Sequence, residues 1–189
     1  MSSKKSRSRR KPKTKERTIS THQHADTAIR HGDVMNRNRA VAYHEAGHAV
    51  AAVRHGIRLT ACGMRNEEHG EIEIEPQIPD GGDEKSRRRF CHKMLVVLFA
   101  GPAAEMKIDP HALVEEGDSA RAKHILNWWP EASGIGMFLL FHAAAKDACE
   151  LVMREWPNIK RVGDALLEQR NLSTEKVHAL CVSDSRANS

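Results

Sequence analysis

The sequence lacks the patterns that mark several common classes of protein. Its four cysteines are widely spaced with no C-x-x-C pair, which argues against a cysteine-held zinc site or a disulfide scaffold and is typical of a reducing compartment. The longest apolar run, residues 94–104, contains Gly101 and Pro102 and is well short of the roughly 20 residues of a membrane-spanning helix. No phosphate-binding loop of the form G-x-x-x-x-G-K-S/T occurs. We therefore expect no membrane insertion, a cytoplasmic location and no ATPase module.

Positive charge is concentrated at one end of the chain. Residues 1–39 contain 12 Lys and Arg against three acidic residues, whereas the other 150 residues contain 18 basic and 22 acidic ones. Because the first residues hold almost no apolar side chain, we predict a basic, disordered tail over 1–35, a folded domain over 36–182 and a frayed C-terminus over 183–189. Such a tail favours nucleic acid or another anionic partner, with a role in solubility as the alternative.

One stretch, AYHEAGHAVAA at residues 42–52, combines histidines and a glutamate with small apolar residues. His44, Glu45 and His48 form an H-E-x-x-H pattern, and residues four apart lie on one face of a helix. Both imidazoles can then reach one metal ion, while Glu45 beside them can take a proton from an attacking water. Buried without partners, the three polar side chains would be unfavourable, and a metal such as zinc would satisfy them. The alternative is a core helix with two hydrogen-bonded histidines.

The remaining periodicity predicts a mainly α-helical domain with a small β-hairpin or sheet. The first helix is expected to begin at Asn36 or Asn38 and to end at Gly56. Strict alternation over Glu71–Glu75 predicts a strand that forms a hairpin with residues 58–64. An extended peptide can pair along such a strand, although its charge also fits an edge that is merely kept soluble.

Proline and glycine mark the expected ends and kinks of the helical segments that follow. Asp83 is expected to cap a long helix, and Gly101–Pro102 predicts a kink or a break within it. The predicted helices after the hairpin are 84–107, 119–129, 138–156, 158–169 and 174–181.

A catalytic zinc usually has three protein ligands and one open position, so His44 and His48 need a third partner. The longer pattern with a third histidine is excluded, because Arg54 occupies that position. Asp118 can also serve as a plain helix N-cap, and Glu105 can either hydrogen-bond a liganding histidine or lie exposed on the surface. Spacing does not decide among the candidate third ligands, which are Glu67, Glu68, Glu71, Glu105, Asp118 and His124.

Four blocks of the sequence resemble, in order, the landmarks of the peptidase domain of FtsH-type ATP-dependent zinc proteases. They are VAYHEAGHAVAA (41–52), FAGPAAEM (99–106), GDSARA (117–122) and DALLEQRNLS (164–173). The resemblance covers residues 38–182 and implies a zincin-like fold of the FtsH type. It further implies that Zn²⁺ is bound by His44, His48 and Asp118, that Glu45 is the catalytic base, and that Glu105 lies near the site.

The chain also departs from that family. Pro102 replaces the usual arginine, Met106 replaces a second glutamate, and no asparagine precedes Asp118. Since the ATPase and membrane segments are missing, the sequence predicts an ATP-independent zinc metallopeptidase that cleaves peptides or unfolded segments. The alternative is a metal-binding or interaction module with little proteolysis, whose basic tail binds nucleic acid or a separate ATPase partner. Neither the substrate nor the oligomeric state follows from the sequence.

Overall fold

A computed structural model describes the backbone of residues 22–66, 69–76, 83–110, 116–129 and 133–182, and the side chains of these ranges except 22–35 and 116–120. These ranges contain six helices and one three-stranded antiparallel sheet. The helices are α1 (His22–His55), α2 (Glu84–Ile108), α3 (Glu116–Leu126), α4 (Gly134–Arg154), α5 (Trp156–Gln169) and α6 (Thr174–Val182). The strands are β1 (Arg58–Met64), β2 (Gly70–Glu75) and β3 (Asn171–Leu172). The predicted mainly helical fold with a small sheet is confirmed.

The second half of α1 forms the centre of the core because its small residues let two other helices approach closely. A Cβ at Gly47 would collide with the carbonyl of Ala100 in α2 and lie 2.9 Å from the Cβ of Ala104. On another side of α1, a Cβ at Gly163 of α5 would lie 2.7 Å from the ring of Tyr43. Glycine at these two positions therefore brings both α2 and α5 against α1.

Helix α1 starts earlier than predicted. Its first residue is His22, so the start expected at Asn36 or Asn38 is wrong. The sequence between His22 and Asn36 contains no proline, and nothing else there prevents helical hydrogen bonding from continuing. The predicted end is confirmed, because α1 stops at His55 and Gly56 follows with φ of 69°. Residues 1–21 of the predicted tail and residues 183–189 lie outside the described residues.

Helix α2 begins as predicted and continues through its proline. The side chain of Asp83 accepts a hydrogen bond from the backbone N–H of Ser86 at 2.7 Å, which caps the helix. The helix then runs through Pro102 to Ile108, so the break considered at that point does not occur. Burial of α2 against its neighbours offsets the roughly 3 kcal/mol that an interior proline costs. None of the helices in the described ranges is long and apolar enough to cross a membrane.

The sheet contains the predicted hairpin and one further strand. β1 and β2 pair antiparallel, with Cys62 opposite Ile72. β3 pairs with the other edge of β1, where Cys62 lies opposite Leu172. A strand of two residues shows no alternation and was not predicted. The order β2-β1-β3 places β2 at an edge of the sheet.

Candidate metal centre and catalytic cleft

The two motif histidines direct the same ring atom toward one point. His44 and His48 lie one turn apart on α1, and both are buried. Their Nε2 atoms are 3.0 Å apart. The H-E-x-x-H spacing thus brings two imidazole nitrogens together, as the sequence predicts.

The other ring nitrogen of each histidine contacts an acceptor. His44 Nδ1 lies 2.7 Å from Oε2 of Glu105, and His48 Nδ1 lies 2.8 Å from the carbonyl oxygen of Val97. Because a carboxylate and a carbonyl only accept, both Nδ1 atoms carry the hydrogen and donate it. When both rings are neutral, each Nε2 therefore presents a lone pair toward the other.

Burial keeps the second of these rings neutral. Desolvation, reinforced by the neighbouring ring of His44 and the charge of Arg121, lowers the pKa of His48 to about 3. A proton shared between the two Nε2 atoms would thus require His44 to be the imidazolium, paired with Glu105. The alternative is a cation between two neutral rings.

The two ring nitrogens have a spacing that suits two ligands of a zinc ion. Zinc binds imidazole nitrogen at 2.0–2.1 Å, so two nitrogens of one tetrahedral site are roughly 3.3 Å apart, close to the spacing found here. Histidine ligands usually donate their second ring N–H to a carboxylate or a backbone carbonyl, and both arrangements occur at this pair. Of the two possibilities considered for Glu105, the structure shows the hydrogen bond, in which Glu105 accepts from His44, and this contact gives Glu105 a supporting position.

The third ligand remains a prediction. Asp118 belongs to the first turn of α3, but its side chain lies outside the described residues, as do Glu67 and Glu68 entirely. Among the side chains that are described, no group of three or more His, Cys, Asp or Glu has an arrangement that would hold a metal ion.

Two other candidate ligands contact different partners. Glu71 accepts a hydrogen bond from Arg65 Nε at 2.6 Å, and this ion pair lowers the pKa of the Glu71 carboxyl. His124 is exposed on α3, and its ring lies 5.5 Å from that of Trp128. The contacts of Glu71 and His124 are therefore with Arg65 and Trp128, and not with the histidine pair.

Glu45 lies beside the histidine pair and reaches the start of the edge strand. Its side chain is buried, with 8% exposed, and lines a cleft together with His48. A Cβ at Gly70, the first residue of β2, would collide with the Glu45 carboxylate. The absence of a side chain at Gly70 therefore leaves room for this carboxylate at the wall of the cleft.

Gly101 has a similar role for the second histidine. A Cβ at Gly101 would lie 2.5 Å from Cε1 of His48 and closer still to Nε2. The glycine thus leaves space for the edge of the ring that carries Nε2, in a helix where glycine is otherwise unfavourable.

The cleft has a volume of about 560 Å³ and is lined by both polar and apolar side chains. Glu45 and His48 form one side, and β2 forms another. Arg121 of α3 and Arg65 add positive charge, while Glu71 and Glu73 of β2 add negative charge. The apolar lining from α2 and α3 consists of Met94, Val97, Leu98 and Ile125. An open cleft of this composition accommodates a chain with both backbone polar groups and apolar side chains.

Neither the models of known protein families nor the sequences of curated proteins match this chain. The geometry of the site is therefore the main guide to function.

Sequence reasoning missed four participants in the site. Val97 contributes only a carbonyl, and Gly70 and Gly101 contribute only space, so none of them carries a side-chain signal. Arg121 had a weak signal, since it lies three residues after Asp118 and one turn before Ile125, on one side of α3.

Proposed function

We propose that the chain is a zinc metallopeptidase that hydrolyses extended peptides or unfolded segments. The observation that carries the proposal is that the Nε2 atoms of His44 and His48 converge, while the Nδ1 atom of each ring donates a hydrogen bond to another protein group. A buried glutamate, Glu45, lies beside this pair in an open cleft. His44 and His48 would hold the metal, with Asp118 as the third ligand that the resemblance to FtsH-type peptidases implies. Zinc bound there supplies a Lewis acid for the scissile carbonyl and the attacking water.

Glu45 is the group that moves the proton. Its carboxylate is one residue from the first histidine and lines the cleft, so it can take a proton from the attacking water and later deliver it to the leaving amine. The Glu45 carboxylate occupies the space beside Gly70, the first residue of β2, and therefore lies next to the strand along which a substrate backbone would pair.

The edge position of β2 favours a peptide as the substrate. Backbone N–H and C=O groups along such an edge can hydrogen-bond an extended chain at the usual strand spacing of roughly 4.8 Å. Ile72 and Ile74 of β2 line the cleft and offer apolar contacts to alternate residues of that chain. Most of a folded domain is not available as an extended segment, so we propose peptides and unfolded segments as the substrates.

Arg121 assists the reaction electrostatically. It lines the same cleft, and its charge already contributes to the low pKa of His48. A guanidinium in this position favours the negative charge that develops on the carbonyl oxygen during attack.

Metal analysis combined with peptide cleavage tests the proposal. We expect purified wild type to bind one zinc per chain and to cleave unstructured fluorogenic peptides, whereas His48→Ala should lose both properties. Glu45→Gln should retain the zinc but lose cleavage by roughly 100-fold or more, because it is isosteric and cannot accept the proton.

Two results would contradict the proposal differently. If wild type binds no more zinc than His48→Ala, the histidine pair is not a metal site. If it binds zinc but cleaves no faster than Glu45→Gln, the chain is a metal-binding or interaction module and not a peptidase.

A further inference from the structure

The outer surface of α4 is apolar and exposed over its first turns. The exposed fractions are 76% for Ile135, 61% for Phe138, 58% for Leu139 and 37% for Phe141. Met106, near the end of α2, is 43% exposed. We refer to these five residues as the α4 patch. Scattered apolar residues are normal on a surface, but a cluster of large ones indicates a binding surface.

Met106 belongs to the patch because α2 and α4 run antiparallel. His92 of α2 lies 3.2 Å from Asp147 of α4, and the rings of Phe99 and Phe141 are 4.6 Å apart. Moving forward along α2 thus corresponds to moving backward along α4. Met106, two turns beyond Phe99, lies beside the first turns of α4.

The opposite face of α4 packs against the hydrophobic core. Leu140, Ala144 and Ala148 are buried at 4% exposure or less. The helix therefore cannot rotate to hide the patch. Ile135, Phe138, Leu139 and His142 follow the i, i+3, i+4, i+7 spacing of a helix that packs against another helix.

Charge favours an identical copy as the occupant. Residues 133–145 contain no Asp, Glu, Lys or Arg, although 29% of the whole chain is charged. Two such surfaces can face each other across a two-fold axis without like-charge repulsion, as an isologous interface requires. A nucleic acid would find no cation there.

The area also fits a pair of copies. Taking about 200 Å² for a fully exposed large side chain, the five exposed fractions amount to roughly 550 Å², near the upper end of what monomers expose. Phe141, two residues from Leu139, lies on the side of α4 that contacts Phe99, so burying both copies of the other four side chains removes roughly 950 Å² from water before flanking residues are counted, close to the roughly 1,000 Å² that a specific interface needs.

The two terminal segments outside the described residues contain little apolar surface with which to cover the α4 patch. Residues 1–21 contain only Met1 and Ile19 as large apolar residues, and residues 183–189 contain none. Residues 111–115 are too few to cover three turns of helix. We propose that the α4 patch is the interface of a homodimer in which the α4 helices of two copies pack together across a two-fold axis near Leu139.

Sedimentation of the full chain across the micromolar range tests the proposal. Wild type should be a dimer, and Phe138→Glu should weaken the dimer roughly 30-fold or more, because it places a charge at the centre of the apolar contact. Val182→Glu is the matched control: Val182 is 55% exposed on α6, outside the patch, so the same change there should leave the dimer intact. Thermal unfolding of both variants verifies that each is folded.

Cross-linking tests the two-fold geometry independently. Because Cys149 is an exposed thiol on α4, the background is Cys149→Ser. Within it, Leu139→Cys should form a disulfide-linked dimer on mild oxidation, and Val182→Cys should not. A chain that stays monomeric throughout the micromolar range, a dimer that survives Phe138→Glu, or a monomer that uses the patch to bind an added apolar peptide would overturn the proposal.

Discussion

The metal-free protein should lose stability in mild acid because of His48. Burial lowers the pKa of this ring in the folded protein to about 3, from 6.5 in an unfolded chain. The unfolded state therefore binds the proton first as the pH falls. The stability associated with the neutral ring is complete above pH 6.5 and is lost progressively as the pH approaches 3.

The size of the effect follows from the shift. One pKa unit corresponds to about 1.36 kcal/mol, so the ring should reduce the free energy of unfolding by about 2 kcal/mol at pH 5. Complete loss near pH 3 would amount to about 5 kcal/mol as an upper limit. Even the smaller value is a large part of the roughly 5–15 kcal/mol that stabilises an ordinary domain.

Urea unfolding with a chelator at pH 7 and pH 5 measures this effect. The drop in unfolding free energy between the two pH values should be about 2 kcal/mol smaller in His48→Gln than in wild type. Replacing an exposed histidine, as in His178→Gln, should leave the drop unchanged. Equal drops in wild type and His48→Gln would refute the inference that the ring is buried and neutral with Nδ1 bound to Val97.

Three further substitutions test the packing around the site. Gly101→Ala should lower zinc affinity about tenfold or more without unfolding the protein, because its Cβ would displace the second motif histidine; unchanged zinc titration would contradict this. Glu105→Gln should lower zinc affinity roughly 10–100-fold in competition with a chromophoric chelator, and an unchanged affinity would remove its supporting role. Gly163→Ala should destabilise the fold by about 1–3 kcal/mol through contact with Tyr43, measured by chemical unfolding. Gly134→Ala, where a Cβ meets open space, is its control.

Features with a local period were predictable from the sequence. The four-residue spacing of His44 and His48 fixes their common face on any helix, and alternation predicted the strand Glu71–Glu75. The start of α1 was not predictable in this way, because two asparagines that can cap a helix can also lie within one. β3 was missed because two residues, Asn171 and Leu172, form a strand only through the partner strand that they meet.

Contacts between distant helices were the part that the sequence left open. Whether Glu105 acts as a ligand or supports one depends on how α2 crosses α1. That crossing is close because Gly47 has no side chain at the point of contact. The Val97 carbonyl is 49 residues from His48, and no residue type identifies a carbonyl that accepts from a histidine. A resemblance to a known family can identify such positions, but only packing shows what they contact.

The site and the scaffold are products of the same helix crossing. Val97, Gly101 and Glu105 are each four residues apart, so they form one stripe along α2 that faces both histidines of α1. Along this stripe a carbonyl orients one ring, a glycine leaves space for it, and a carboxylate orients the other ring. Because the contacts that orient the two rings are between protein groups, we expect the histidine pair to keep this orientation in the metal-free protein. Zinc should therefore raise the stability of an already folded domain and not induce its folding, in contrast to small zinc-dependent domains that are unfolded without metal.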